Sequence, residues 1–453
     1  MSISTNAQRE RLRRLISDYG MLGVLILLCL LFSILTLTDQ YPTGESAGDS
    51  LYEQHLANLP SSRAIVIVAT AKPQDSVFVT ALSKRIESQQ STPPRIVIGE
   101  PQEIRTQLET LAASYVASPI IATTNAAAPV VSAITAQIPP LANATIVSPS
   151  PRRWPTFLLA ENIRNVANQI TVIAIVAIGM TIVIITAGID LSVGSLIALC
   201  AVLVTWLIGQ FGAESAGAGA MLLAAVIGIA LSGLVGAFSG LMITRFRIPP
   251  FIATLAMMQV AAGIAYIISQ GRPIYQIPDN FIWLGRGVDP IFGIPTAVIL
   301  MVALYAIAHV VMSRTVLGRY IYAVGGNPEA ARLAGIRVQA VQFFAYTVCA
   351  MLAGLGGVLM ASQLKSGAPT YGLSYELYVI AAVVVGGTSL SGGEGRIFGT
   401  LIGALIIGVI QNGMNLVNVE SYTQKVVLGL VILGAVLLDR LKQARWRFRK
   451  AAA

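Results

Sequence analysis

Asn165-Val-Ala-Asn-Gln-Ile-Thr-Val-Ile-Ala-Ile-Val-Ala-Ile-Gly-Met-Thr-Ile-Val-Ile-Ile-Thr-Ala-Gly-Ile189 carries no charge over 25 residues and is closed by Asp190. At about 1.5 Å per residue, a helix of that length crosses the roughly 30 Å hydrocarbon layer of a bilayer. Nine more uncharged stretches flank it: 19–38, 191–213, 215–244, 248–271, 290–313, 338–364, 377–393, 397–419 and 426–438. Eight of the ten are long enough outright. The short ones are 377–393 and 426–438, and the latter gains Tyr422 to Gln424 if Lys425 snorkels outward. The pattern predicts an α-helical polytopic membrane protein of about ten transmembrane helices, one or two of them broken or re-entrant.

Composition agrees. Hydrophobic residues make up 55% of the 453 and charged residues 11%, against about 25% charged in soluble domains; mean hydropathy is +0.73. So little charge cannot cover a soluble protein of this size. Cys29, Cys200 and Cys349 lie in apolar runs, which argues against a disulfide framework or a metal site. His55 and His309 are too far apart in sequence to suggest a metal or acid–base cluster. No cofactor or metal is expected.

Basic residues set the orientation. With the N-terminus inside, the inner segments hold seventeen Lys and Arg, from Arg9 in the N-tail to Lys450 in the C-tail. The short outer loops hold four: Arg272, Arg286, Lys365 and Lys425. The remaining nine lie in 39–164, a long loop exempt from the positive-inside rule. Both termini are therefore expected in the cytoplasm. The net charge of +9 reads as topology plus contact with anionic lipid, not nucleic-acid binding, because no separate basic domain exists. The 20–38 stretch reads as an uncleaved first span, since no small-residue cleavage site follows it.

The expected domains are a cytoplasmic tail and first helix (1–38), an extracytoplasmic α/β insert (39–156), a transmembrane domain (157–441) and a basic tail (442–453). Within the insert, Arg63-Ala-Ile-Val-Ile-Val-Ala-Thr70 reads as a buried parallel strand. Asp75 is expected to cap a helix over 76–88, and Arg95–Gly99 is a second strand. A second helix runs from Pro101 to near Tyr115, and two more strands, 119–123 and 144–148, frame a third. The order β-α-β-α-β-α-β predicts a small parallel sheet. Its reading stays open between a spacer or docking platform and a ligand crevice at the strand ends near Thr70, Gly99 and Thr123.

Four constellations interrupt the apolar runs. In the first, Gly188, Asp190, Ser192 and Gly194 form a break where Asp190 or Ser192 caps the next helix or Asp190 marks a transport pathway. The second, Gly387 with Ser391 and Gly393, repeats the spacing G-x-x-L-S-x-G, as a duplicated broken-helix element or by coincidence in a Gly-rich chain. No G-x-x-x-x-G-K-[ST] occurs, so nucleotide binding is unsupported. The third is the loop Arg314–Arg337, where Asn327 caps, Pro328 opens and Gly335 ends a helix over 328–334. Small Ala330 and Ala331 would let it lie against a partner, with Leu333 as apolar anchor and Glu329 and Arg332 as rim charges. A helix this short is marginal alone. In the fourth, Arg245 to Ala256, paired prolines Pro249 and Pro250 separate two elements.

In this order the motifs closely resemble the permease subunits of bacterial ABC sugar importers of the ribose/xylose/galactose type. The likeness covers about 10–38 and 157–441, and is carried by Gly188–Ser195, Arg247–Leu255, Gly318–Ile336 and Gly386–Gly395. It implies a permease subunit in the bacterial inner membrane. A second permease, identical or paralogous, would enclose the pathway for a sugar-like solute. An extracytoplasmic solute-binding protein would deliver the solute, and a separate ABC ATPase would grip the 328–334 helix. Segment 39–156 departs from that pattern, in which span one leads almost directly into span two. Candidates to line a sugar pathway are Asn168, Gln259, Tyr266, Gln363, Gln411, Asn412 and Asn415; such residues also serve as glue between helices. The alternative is an ion-gradient-driven secondary transporter, but the spans offer little to titrate beyond His309.

Overall fold

The computed structural model describes residues 20–57, 63–89, 93–112, 119–290 and 293–451. The basic cluster Arg9–Arg14 and the expected helix end near Tyr115 fall outside them. The chain forms two compact units, Leu37–Thr156 and the remainder. In chain order, α1 (Gly20–Leu35) precedes the first unit. That unit holds β1 (Leu37–Gln40), α2 (Gly44–Leu51), β2 (Ile65–Ala69), α3 (Pro73–Gln89), β3 (Arg95–Ile98), α4 (Pro101–Ala112), β4 (Ile120–Thr123), α5 (Ala128–Ala136), β5 (Thr145–Val147) and β6 (Arg152–Pro155). The second continues with α6 (Ala160–Ile185), α7 (Val193–Gln210), α8 (Ala218–Arg245), α9 (Pro250–Ser269), α10 (Trp283–Arg286), α11 (Thr296–Arg314), α12 (Val316–Gly326), α13 (Pro328–Leu333), α14 (Val338–Leu364), α15 (Tyr375–Val385), α16 (Ile397–Leu416) and α17 (Ser421–Ala451).

This is a mostly helical, multi-pass membrane protein. Among the described residues, α6, α7, α8, α9, α11, α14 and α16 are long and apolar enough to cross a bilayer; α1, α15 and Ser421–Leu437 are shorter apolar helices. Burial ranks them. The most apolar stretch of α6 is 89% buried, and those of α9 and α11 only 22%. A helix apolar on every side belongs inside a bundle, and α6 packs against α11, α14, α15 and α16. Small residues permit the closest contacts. Gly179 of α6 backs onto the Cys349 backbone of α14, and Gly240 of α8 onto Phe343, as expected where packing replaces the hydrophobic effect between helices.

The other unit has a parallel sheet in the order β3-β2-β4-β5. All five residues of β2 are buried, and alternate ones serve opposite faces. Ile65 and Ile67 join Phe78, Leu82 and Ile86 of α3; Val66 and Val68 join Ile104, Leu108 and Val131 of α4 and α5. Asp75 does not cap the helix from outside as expected. It lies within the first turn of α3, and its carboxylate accepts from the Thr70 N–H at 3.1 Å and from the Thr70 hydroxyl. Composition gave no hint of α2, or of the antiparallel pair β1–β6, which sets Leu37 opposite Pro155. That pair brings the two ends of the unit together, the geometry that lets a domain sit inside another chain. With two apolar clusters of its own, residues 37–156 expressed alone are expected to give mixed helix–strand circular dichroism and one cooperative thermal transition. A featureless, non-cooperative melt would show that its core needs the rest of the chain.

Candidate functional site

Three of the sequence motifs meet on backbone atoms. The end of α6 carries a Schellman turn: Ala187 N–H donates to Ile184 O at 2.9 Å and Gly188 N–H to Val183 O at 3.0 Å. The end of α15 repeats it two hundred residues on, with Gly387 N–H to Val384 O at 2.9 Å and Thr388 N–H to Val383 O at 3.1 Å. Gly387 therefore corresponds to Ala187 (φ 62°), not to Gly188 as the shared spacing suggested. From α15 the chain turns through Gly392 (φ 82°) and Gly393 (φ 76°), and Gly393 N–H donates to Ile185 O at 2.9 Å. Gly325, in the last turn of α12, packs on that same Ile185 carbonyl and on Gly393 N; a methyl group there would overlap both. Tyr322 ties the other side, its hydroxyl donating to Gly395 O at 2.8 Å.

From this junction projects a helical elbow. Asn327 Oδ1 accepts from Ala330 N–H at 3.0 Å, the N-cap its sequence promised, and Pro328 opens α13. The helix ends one residue before the expected 334. Gly335 (φ 84°) closes it with a Schellman turn in which Ile336 N–H donates to Ala331 O at 3.0 Å. Glu329 and Arg332 pair at 2.7 Å in solvent, an interaction of small value. One expectation is overturned: Ala331 is buried against the chain's own core and so offers nothing to a partner. Ala330 is exposed, and Leu333 is 86% exposed.

Two helices begin within the bundle. Asp190 does not cap α7. Its Oδ1 accepts from the N–H and the hydroxyl of Ser192, at 2.9 and 2.6 Å, in a local turn. Asp190 is fully buried beside Cys349, which packs at the level of Gly179. That level lies six residues, about 9 Å, back from the end of α6, so 186–192 folds back along the helix instead of forming a simple loop. The segment before α15 does the converse. Gly367 packs on Ala201 and Thr205 of α7, and Gly372 on Gly194 and Ile197, so a non-helical, turn-rich stretch runs beside α7 before α15 begins. Glu376, in the first turn of α15, lies against Gly194, where its charge favours the positive end of α7. This broken span explains why 377–393 looked short, and the clue was the run Gly367, Pro369, Gly372 and Ser374.

The pathway candidates separate into groups. Gln363 Nε2 donates to Asn168 O at 3.0 Å and Thr171 Oγ1 at 3.2 Å, while Asn168 Nδ2 donates to Gly285 O at 3.0 Å. Ser362 Oγ accepts from Gly285 N–H at 2.8 Å, so α10 is pinned to α6 and α14. Nearby, the Lys365 ammonium hydrogen-bonds Asp279 and holds its carboxyl below the usual range. Asn412 exchanges hydrogen bonds with Asn162 at 2.9 and 3.0 Å, and Asn415 accepts from Gln424 at 2.8 Å. Gln411 is half-buried. Gln259 and Tyr266 instead stand exposed along α9.

Residues 162–436 match the family described as branched-chain amino acid transport system / permease component. The chain belongs to that permease family. The ribose import permease protein of Escherichia coli strain K12 is 45% identical over 294 residues, 64% of this chain and 88% of the relative. That of Bacillus subtilis strain 168 is 46% identical over 292 residues, with the same coverage. The D-allose transport system permease protein of Escherichia coli strain K12 is 36% identical over 285 residues, 63% of this chain and 85% of the relative. No solved structure matches. The family match begins after the Leu37–Thr156 unit.

The junction itself is testable. Gly325→Ala is expected to destabilise the detergent-solubilised permease by about 1–3 kcal/mol through overpacking, read as a lower apparent melting temperature. Gly326→Ala, whose new methyl meets open space, should leave it unchanged. Equal melting of the two variants would disprove the close packing at Ile185.

Proposed function

We propose that this chain is one of two permease subunits of an ATP-driven importer that carries a monosaccharide across the bacterial inner membrane. Seven long and three shorter apolar helices, with the seventeen-to-four bias of basic residues, support ten spans, cytoplasmic termini and an outer α/β insert. ATP hydrolysis belongs to a separate ATPase subunit, which docks on α13; this chain makes and breaks no bonds. An extracytoplasmic binding protein delivers the solute. The sugar class follows the relatives, whose names assign them ribose and D-allose.

The observation that carries the reading is the elbow. A six-residue helix presents an almost fully exposed leucine, yet is fixed at both ends and follows directly on α12, whose Gly325 packs on the breaks of two other spans. Movement imposed on Leu333 passes through α12 to Gly325, which packs on Ile185 and Gly393, and so shifts α6 and the loop between α15 and α16. On the pathway side, Gln259, Gly263 and Tyr266 occupy one face of α9 at i, i+4 and i+7, all exposed. A polar stripe on so apolar a helix is costly against lipid; facing a second permease, it would line a wet channel with hydroxyl-matching groups and an aromatic face. The Glu376–Gly194 contact supports the two broken helices beside that channel.

The test is uptake in vesicles holding this chain with its ATPase. Uptake should require ATP and survive collapse of the proton gradient; the opposite pattern would establish a secondary transporter. Leu333→Asp should weaken ATPase co-purification at least about thirtyfold, as loss of a central apolar anchor does, with membrane insertion retained. Leu333→Met should preserve docking. Undiminished co-purification of Leu333→Asp would remove α13 from the interface.

A further inference from the structure

In the Leu37–Thr156 unit the chain leaves β2, crosses outward to β3, then returns past β2 to form β4 and β5. Helix α3 covers one face of the sheet, while α4 and α5 cover the other. The winding direction therefore reverses between β2 and β4, and the helices that follow those two strands part to opposite faces. In open parallel sheets, ligands bind in the crevice outside the strand carboxyl ends at this point.

The residues there are Thr70 and Lys72 after β2, Asp75 in the first turn of α3, and Thr124 and Asn125 after β4. Most have partners. Thr70 is held by Asp75, and Asn125 Nδ2 donates to Pro149 O at 2.8 Å, while the neighbouring Thr123 hydroxyl donates to Val68 O at 2.8 Å. Thr124 differs. It is 9% exposed, and its hydroxyl has no hydrogen-bond partner among the described residues. Strand alternation carries it to the face of Ile120 and Ala122, which α3 covers. A buried hydroxyl left unpaired is costly, and a ligand hydroxyl entering the crevice would satisfy it.

We infer that this crevice binds a small, neutral, polyhydroxylated solute. No glycine-rich phosphate loop follows any of the strands. The loops 70–72, 99–100, 124–127 and 148–151 carry one cation, Lys72, against one carboxylate, Glu100, with Asp75 adding a second acid from α3, a balance that does not favour an anion. Hydroxyl, amide and carboxylate groups match the alternating donors and acceptors of a sugar ring. The choice of a monosaccharide as probe rests on the permease reading above.

Hydrogen–deuterium exchange on the full chain in lipid nanodiscs, with and without millimolar D-ribose, D-allose or L-arabinose, tests this. One of these sugars should slow exchange in peptides covering 70–76 and 123–128. Thr124→Val should weaken that protection about tenfold in a sugar titration, the worth of one hydrogen bond, and Thr124→Ser should retain it. Ser83→Ala removes another partnerless buried hydroxyl, about 15 Å along α3 from its start, and should change nothing. Protection confined to residues beyond 157, or absent with all three sugars, would overturn the crevice and leave the permease standing. So would equal protection in Thr124→Val. Crevice protection without ATP-driven uptake would refute the transport reading instead.

Discussion

A helix ending inside an apolar bundle leaves its last carbonyls without intrahelical partners, and lipid supplies no water to satisfy them. At the end of α6 this constraint fixes three distant parts of the chain. Ile184 O and Val183 O are taken by the turn itself, and Ile185 O by the N–H of Gly393. The donor must approach from another segment, so the meeting is one of backbone against backbone. Only glycine leaves room for it. Gly325 closes the remaining side, so the one carbonyl that α6 could not satisfy locally becomes the point where the elbow, the first break and the second break are joined.

Much of this architecture was legible in the sequence because charge is so expensive in lipid. Gaps between charged residues located the seven long helices, and the Asn327–Pro328–Gly335 punctuation located α13 to within a residue. The failures have physical causes. An absence of charge marks membrane depth but not helical conformation, so 377–393 concealed the early end of α15 at Val385. The repeat was seen but aligned one residue off. A glycine-to-glycine match is natural on paper, whereas the left-handed position in the first copy is filled by Ala187, at a cost of roughly 1–2 kcal/mol for a residue with a side chain. Contacts such as Gln363 with Asn168 join residues 195 apart in sequence, and no local pattern encodes them.

Asp190 shows how a motif can be located correctly while the cap expected of it does not form. An acid at a helix break invites a cap or a transport site. Here one carboxylate oxygen is taken by Ser192 in the turn that returns the chain along α6, and the cap does not form. Glu376, to which the motifs gave no role, lies where a cap for α7 would be wanted. The acid beside this helix start is thus one far away in sequence, because helix starts are satisfied in space and not along the chain.

The elbow is stiffer than its length implies. Six residues cannot hold a helix by their own hydrogen bonds, since nucleation consumes more order than so few bonds return. Its rigidity is therefore borrowed: Asn327 fixes the entry at about 1 kcal/mol, the turn at Gly335 fixes the exit, and buried Ala331 seats the middle. Removing any one leaves the six residues too few to stay helical. A longer helix would carry its own stability and need no such seat, but would also place Leu333 farther from the junction. Shortness keeps the exposed leucine close in sequence to Gly325, the residue that packs on that carbonyl.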